Sequence, residues 1–249
     1  MKIKLYSDIH TEFMSETYRQ VFPANVDGTD VLILAGDIGV GADQVLAVVN
    51  FFKKQGYEQI VYLPGNHEYY GNSIANVDAE MQAGFAKIKG AHFLNPGIIR
   101  IGDVSFIGAT LWTNFRGNPY NGVLLRGMIS DFSRIKNFST KNAFDLFNKH
   151  FDYIKMQYEE TEGKKVIVTH FLPAVECIDP QYANEQMLNR YFANDLDSWI
   201  AELQNTTWCF GHTHSTVDRM IGDTRMLCNP YGYANYSTNP KFKEVTFNV

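Results

Sequence analysis

The chain has 249 residues, 45% hydrophobic and 20% charged, the ordinary balance of a globular protein and a length that one α/β domain can fill. A net charge of -5 provides no overall basic field for nucleic acid or an anionic membrane, and no apolar run is long enough to span a bilayer. The three cysteines, Cys177, Cys209 and Cys228, lack metal-ligand spacing, suit burial in a reduced protein, and with no signal peptide evident at the start of the chain make the cytoplasm the expected compartment.

In chain order, Lys2 to Tyr6 predicts a strand, and the continuous apolar run Val31 to Ala35 predicts a second, covered on both faces. Gln44 to Gln55 predicts a helix, Gln59 to Leu63 a third strand, and Ile74 to Lys89 a second helix. This alternation predicts βαβ units and a partly parallel sheet. Beyond Phe93, Ile98 to Ile101 and Val104 to Ala109 predict neighbouring strands with a turn at Gly102-Asp103. Asn142 to Thr161 predicts a long helix, Lys165 to Thr169 a buried strand, Leu188 to Leu203 a mostly helical stretch and Thr207 to Phe210 a strand. From Thr216 onward short strands are expected, with turns at Gly222-Asp223 and Asn229-Pro230. With no linker or internal repeat, a single domain over residues 1-249 is expected. The aromatic-rich stretch from Leu111 to Tyr158 is read mainly as core, with part of it expected to cap a site.

The metal-capable side chains fall at strand ends. Asp8 and His10 follow the first strand, Asp37 the second, and Asn66, His67 and Glu68 the third. His170 follows the strand that ends at Thr169, and His212 and His214 follow the one that ends at Phe210. Five of the seven histidines occupy these positions; His92 and His150 are read as surface or packing residues. In open α/β sheets the carboxyl ends of strands face the ligand crevice, so five strands would deliver ligands to one place. In an extended segment i and i+2 point to one side, which would let Asp8 and His10, and likewise His212 and His214, converge. Glycines before Asp37, Asn66 and His212 permit close backbone approach. Carboxylate, amide and imidazole donors without thiolate suit Mn²⁺, Fe²⁺ or Zn²⁺.

Taken together, Asp8-Ile9-His10, Gly36-Asp37, Gly65-Asn66-His67-Glu68, Thr169-His170 and Gly211-His212-Thr213-His214 resemble the ordered motifs of the calcineurin-like metallophosphoesterase family. The resemblance implies a four-layer α/β/β/α sandwich with a two-metal centre. It implies Asp8, His10, Asp37 and His214 as ligands of one divalent ion, and Asp37, Asn66, His170 and His212 as ligands of the other, with Asp37 bridging. It implies His67 as proton donor to the leaving group. Mn²⁺ is the expected ion, with Fe, Zn, Ni or Co as alternatives. Three departures stand out. Gly36-Asp37-Ile38-Gly39-Val40-Gly41 lacks the Asp-Arg-Gly of the protein Ser/Thr phosphatase branch, which disfavours that activity. Phe171 stands where many bacterial relatives have a second histidine, and Tyr231 stands where they have an arginine.

The expected reaction is hydrolysis of a phosphomonoester or phosphodiester by a hydroxide bridging two cations, with His67 protonating the leaving group. A small phosphoester is the expected partner, and nucleic acid is disfavoured by the acidic balance, a nuclease on short or single strands being the alternative. The rival class is a catalytically silent scaffold of the same fold, which would be expected to lack ligands or the donor histidine. The sequence does not specify an oligomeric state. Arg116, Arg126, Arg134 and Arg225 are candidates for contact with phosphate, none singled out.

Overall fold

Alternate residues of each strand face opposite ways, and this chain makes both faces of its central strands apolar, so each sheet must be covered twice. A computed structural model describes residues 1–14, 26–243 and 246–249. Its strands, in chain order, are β1 (Lys2–Tyr6), β2 (Val31–Ala35), β3 (Gln59–Leu63), β4 (Ala91–Phe93), β5 (Gly97–Ile101), β6 (Val104–Ala109), β7 (Lys164–Thr169), β8 (Thr206–Phe210), β9 (Val217–Ile221), β10 (Thr224–Cys228), β11 (Gly232–Tyr233), β12 (Ser237–Thr238) and β13 (Thr246–Asn248). The helices are α1 (Gly41–Gln55), α2 (Ile74–Phe85), α3 (Tyr120–Leu125), α4 (Asp131–Arg134), α5 (Thr140–Glu160), α6 (Asn189–Phe192) and α7 (Asp197–Ile200), with single 3-10 turns that include Thr11–Phe13 and His67–Tyr69.

Two sheets stack. One has the order β13-β1-β2-β3-β4 and the other β5-β6-β7-β8-β10-β9. The inward set, including Ile3, Leu5, Ile33, Val61, Phe106, Val168 and Leu227, forms a core between the sheets. The alternate set, including Leu32, Leu34, Ile60, Tyr62, Ile107, Ile167 and Trp208, joins the core under the helices. The result is the expected α/β/β/α sandwich. Strands β1, β2 and β3 are mutually parallel, as are β6, β7 and β8, so the carboxyl ends of each group share an edge. Among the described residues, no helix is long and apolar enough to cross a membrane.

The helices follow from their buried stripes. In α1, Val45, Val48, Val49 and Phe52 recur at helical spacing and face the first sheet. It starts three residues before the expected Gln44, because the Gln44 side chain accepts the Val40 N–H at 2.9 Å and secures the first turn. It ends where expected, at Gly56 with φ 105°. In α2, Ser73 caps the start, but the helix stops at Phe85 rather than Lys89, its exit tightening into i→i+3 bonds from Lys87 to Gly84 and Ile88 to Phe85. In α5, Ser139 and Asn142 form a capping box, and Ala143, Phe147, His150 and Ile154 line the buried stripe.

One expectation fails clearly. Leu188 to Leu203 is not mostly helical: α6 and α7 are single turns separated by residues 193–196. The break is tertiary. Asn194 gives its N–H to Leu172 and its side-chain amide to Trp112 O at 2.9 Å, while its Oδ1 accepts Asn114 N–H at 2.8 Å. A buried amide satisfied by three loop partners outweighs local helix preference.

Candidate metal centre

The residues singled out at strand ends meet at one edge of the sandwich. Asp8, His10 and His214 form one group, and Asp37, His170 and His212 another, with candidate ligand atoms in each group within 4.8 Å of one another. Asn66 belongs with the second, its Oδ1 lying 3.2 Å from His170 Nε2. Asp37 stands between them: its Oδ2 is 3.6 Å from His10 Nε2, and its Oδ1 is 3.4 Å from His170 Nε2. Across the first group, His10 Nε2 is 3.0 Å from His214 Nε2, and His214 Nε2 is 3.4 Å from Asp8 Oδ1.

The route to this convergence corrects the sequence reading. Asp8, His10, Asp37, His212 and His214 are not in extended backbone; all have positive φ, between 49° and 69°. Left-handed backbone is costly for such residues and persists where surrounding structure over-determines it. Here Asp8 N–H donates to Gly36 O, His10 N–H to Asp37 O, and the Asp8 carboxylate accepts His212 N–H at 3.0 Å. The glycines serve the close approach: a Cβ on Gly65 would lie 2.1 Å from Asp37 Oδ1, and one on Gly36 would lie 2.5 Å from His170 Nδ1.

Several of these side chains are oriented from behind. His170 donates Nδ1–H to Ala35 O at 2.9 Å, leaving Nε2 for the centre. Asn66 donates its amide to Asp131 Oδ1 at 2.9 Å and to the Tyr70 hydroxyl at 3.2 Å, turning its oxygen inward. Asp131 is buried and also accepts the hydroxyls of Tyr70 at 2.6 Å and Tyr191 at 2.5 Å. Glu68 is a brace: its carboxylate accepts the backbone N–H groups of Asp37, Ile38 and Gly65 at 3.1, 2.8 and 2.8 Å. Glu12 accepts from His10 Nδ1 at 3.1 Å and from His67 Nδ1 at 2.9 Å. His67 also gives its backbone N–H to Asp37 Oδ1 at 2.9 Å, and its ring packs on Tyr70. Tyr233 covers the first group, its ring 4.4 Å from His10 and 4.5 Å from His214, centroid to centroid.

The electrostatics suit cations. Burial opposes charge on Asp37, but His170 and His67 outweigh it and hold the carboxyl well below the ordinary range. Burial, with His170 beside it, holds His212 well below an ordinary imidazole, the neutral form a metal requires. Burial lowers His170 too, but Asp37 raises it to about 10, so a cation there would displace a proton. His212 Nε2 is buried without a hydrogen-bond partner among the described residues. An orphaned ring nitrogen in an oxygen and imidazole cage is what a divalent ion would satisfy.

Glu12, Asp131, Tyr70 and Tyr233 were not identified from the sequence. Glu12 had a findable signal, two residues past His10 in Asp-x-His-x-Glu. Asp131 had none, since it reaches Asn66 across 65 positions. His92 and His150 are packing residues, His92 paired with Gln59 and His150 accepting Leu111 N–H. Among the arginines, Arg225 pairs with Asp218 and Arg134 lies over the Tyr70 ring. Phe171 is buried against His170 and His212.

A cavity of about 530 Å³ opens onto the centre at Asp37, Asn66, His67, His212 and His214. Its outer walls are mainly apolar and aromatic, with Leu172, Ile178, Leu188, Tyr191 and Phe192 on one side. From the stretch proposed as a cap, Met128, Ile129, Ser130 and Asp131 line it, so most of this wall comes from residues 172–192.

Comparison with known proteins agrees with this picture. The family profile described as calcineurin-like phosphoesterase matches residues 1–216. An uncharacterized protein of Acanthamoeba polyphaga mimivirus is 30% identical over 269 aligned positions, covering 96% of this chain and 94% of its own. In fold, the chain is similar to phosphopantetheinyl hydrolase from Mycobacterium tuberculosis, with TM-score 0.70, 16% identity, and 93% and 89% of the two chains covered. It is also similar to a protein of Thermus thermophilus, with TM-score 0.58, 12% identity, and 92% and 88% covered.

Proposed function

The chain belongs to the calcineurin-like phosphoesterase family, and from that premise we propose that it is a dinuclear metal-dependent hydrolase of small phosphomonoesters or phosphodiesters. The observation that carries this reading is the division of Asp37, with one carboxylate oxygen toward His10 and the other toward His170. Asp8, His10, Asp37 and His214 would hold one cation, and Asp37, Asn66, His170 and His212 the other, Mn²⁺ being the ion we expect at both. When bound, two such ions supply Lewis-acid activation of water and neutralise charge on phosphoryl oxygens.

The chain's own residues do the rest. His67 donates a proton from Nε2 to the leaving oxygen, because Nδ1 is committed to Glu12 and its backbone N–H to Asp37. Burial lowers its basicity, but Asp37 and Glu12 outweigh that and raise it, which favours the protonated ring. Asp131 and Glu68 fix Asn66 and the Asp37 turn, so little reorganisation is needed during reaction. The apolar wall excludes water and accepts the organic part of the ester.

Two observations favour this over the rivals. Every residue proposed as a ligand or as the proton donor is present, and the proposed ligands converge, which a silent scaffold would not require. The main cavity has an apolar and aromatic wall without Lys or Arg among its described lining residues, which favours a small ester over a polyanion such as nucleic acid. The test is release of phosphate or alcohol from a panel of mono-, di- and cyclic phosphoesters by Mn²⁺-reconstituted protein, with a His67 variant in parallel. Hydrolysis of at least one class, impaired in the variant, is expected; no hydrolysis of any member at any metal loading overturns the reading.

A further inference from the structure

Beside the main cavity lies a second one of about 370 Å³, and the two share Ile178 and Asn189 in their walls. Its chemistry is different. Arg116 and Arg190 line it, with Gln186 adding an amide. Neither guanidinium is paired with a carboxylate among the described residues, whereas Arg219 and Arg225 both are. Arg116 Nε is buried without a hydrogen-bond partner among the described residues. A buried guanidinium donor left unsatisfied is destabilising, a cost that an acceptor would remove.

The frame around these arginines is built rather than incidental. Phe115 and Arg116 have φ of 52° and 53°, a strained pair held by bonds from Phe115 N–H to Thr113 Oγ1 and from Arg116 N–H to Asn114 Oδ1. Asn121 ties the two halves together: its amide donates to Phe115 O at 2.9 Å, and its Oδ1 accepts from Arg190 at 2.6 Å. Thr113 donates its hydroxyl to Arg190 O at 3.2 Å. Two guanidinium groups thus line one cavity, the Arg190 side chain held by Asn121 and the Arg116 backbone by Asn114, and such planar forks suit carboxylate and phosphate oxygens.

We propose that Arg116 and Arg190 form an anion subsite, and that the substrate carries a second acidic group, phosphate or carboxylate, remote from the scissile phosphoester. This rests on the hydrolase reading above. The centre takes the reacting phosphoryl group, the apolar wall of Leu172, Ile178 and Leu188 takes the body of the molecule, and the arginines take its far end.

The test compares alkyl monophosphates with α,ω-alkanediol bisphosphates and ω-carboxyalkyl phosphates over a series of chain lengths, using Mn²⁺-loaded protein. At a matching length, one of the two doubly acidic series should show a KM at least about tenfold below that of its monophosphate, one or more charge-assisted contacts' worth. Which series wins identifies the acidic group. Arg116→Met and, separately, Arg190→Met should shrink that ratio toward one. Calorimetric titration with alkanediphosphonates against alkylphosphonates reads the same preference without turnover, so failure of the subsite is distinguishable from failure of the hydrolase. Equal KM values and equal phosphonate affinities at every length, or a preference unchanged in both variants, would overturn the proposal.

Discussion

Glu12 holds His67 by its Nδ1 at 2.9 Å, and the same Glu12 oxygen is 3.1 Å from His10 Nδ1. One carboxylate therefore orients both the proposed proton donor and a proposed metal ligand. Glu12→Ala should lower activity and metal affinity together, by about 10–100-fold, the range typical of residues that orient metal ligands. Rates over a titration of Mn²⁺ would check this, and a variant with unchanged metal affinity and rate would show the contact to be idle.

Glu12 also gives a pH signature. Burial raises its pKa, but His10 and His67 bring it down from 4.5 to about 2. Because the folded-state value lies below the unfolded one, the stabilisation is complete above about pH 4.5 and is lost as pH falls toward 2. Its ceiling is about 3 kcal/mol. Metal-free wild type should therefore lose more stability across this window than Glu12→Gln, which has no carboxyl to titrate at that position. Denaturant unfolding at a series of pH values is the measurement, and parallel profiles for the two proteins would refute the contribution.

His67→Asn should slow esters with high-pKa leaving groups by about 10²–10⁴-fold while sparing activated aryl phosphates, whose leaving groups need no proton. Leaving-group dependence of kcat is the measurement. Equal losses across the series would remove His67 from the donor role.

Asp131→Ala would remove the acceptor shared by three buried donors, the hydroxyls of Tyr70 and Tyr191 and the Asn66 amide, which keeps only the Tyr70 hydroxyl. At about 1–3 kcal/mol for each unsatisfied group, some of it relieved by water entering from the cavity, a loss of about 3 kcal/mol is expected. For a chain of this size that lowers Tm by about 6–12 °C. Asn66 would also lose its orientation, so metal affinity should fall alongside Tm.

Gly65→Ala offers a steric test, since its Cβ would lie 2.1 Å from Asp37 Oδ1 and 2.7 Å from His170 Cε1. Activity should be nearly abolished. Gly127→Ala, whose Cβ meets nothing within 4 Å, is the control and should change Tm little.

Much of this was legible because the strands are short apolar runs whose next residues carry the chemistry. Val31–Ala35 leading into Gly36-Asp37, and Gln59–Leu63 leading into Asn66-His67, announce both sheet and site. The turn geometry was not legible: His212 and His214 converge through left-handed backbone, which local sequence does not announce outside glycine. Asp131 and Asn194 were invisible because their roles are hydrogen bonds to partners far along the chain. The expected helix over 188–203 failed for the same reason, its middle being recruited by the loop after β7.

Metal content per chain, read by mass spectrometry of reconstituted wild type and Asp37→Asn alongside turnover, tests the shared-carboxylate centre most directly. About two divalent ions in wild type, with occupancy and activity both lost in the variant, are predicted for a carboxylate shared between two neighbouring cations. Full metal content with normal turnover in Asp37→Asn would contradict it.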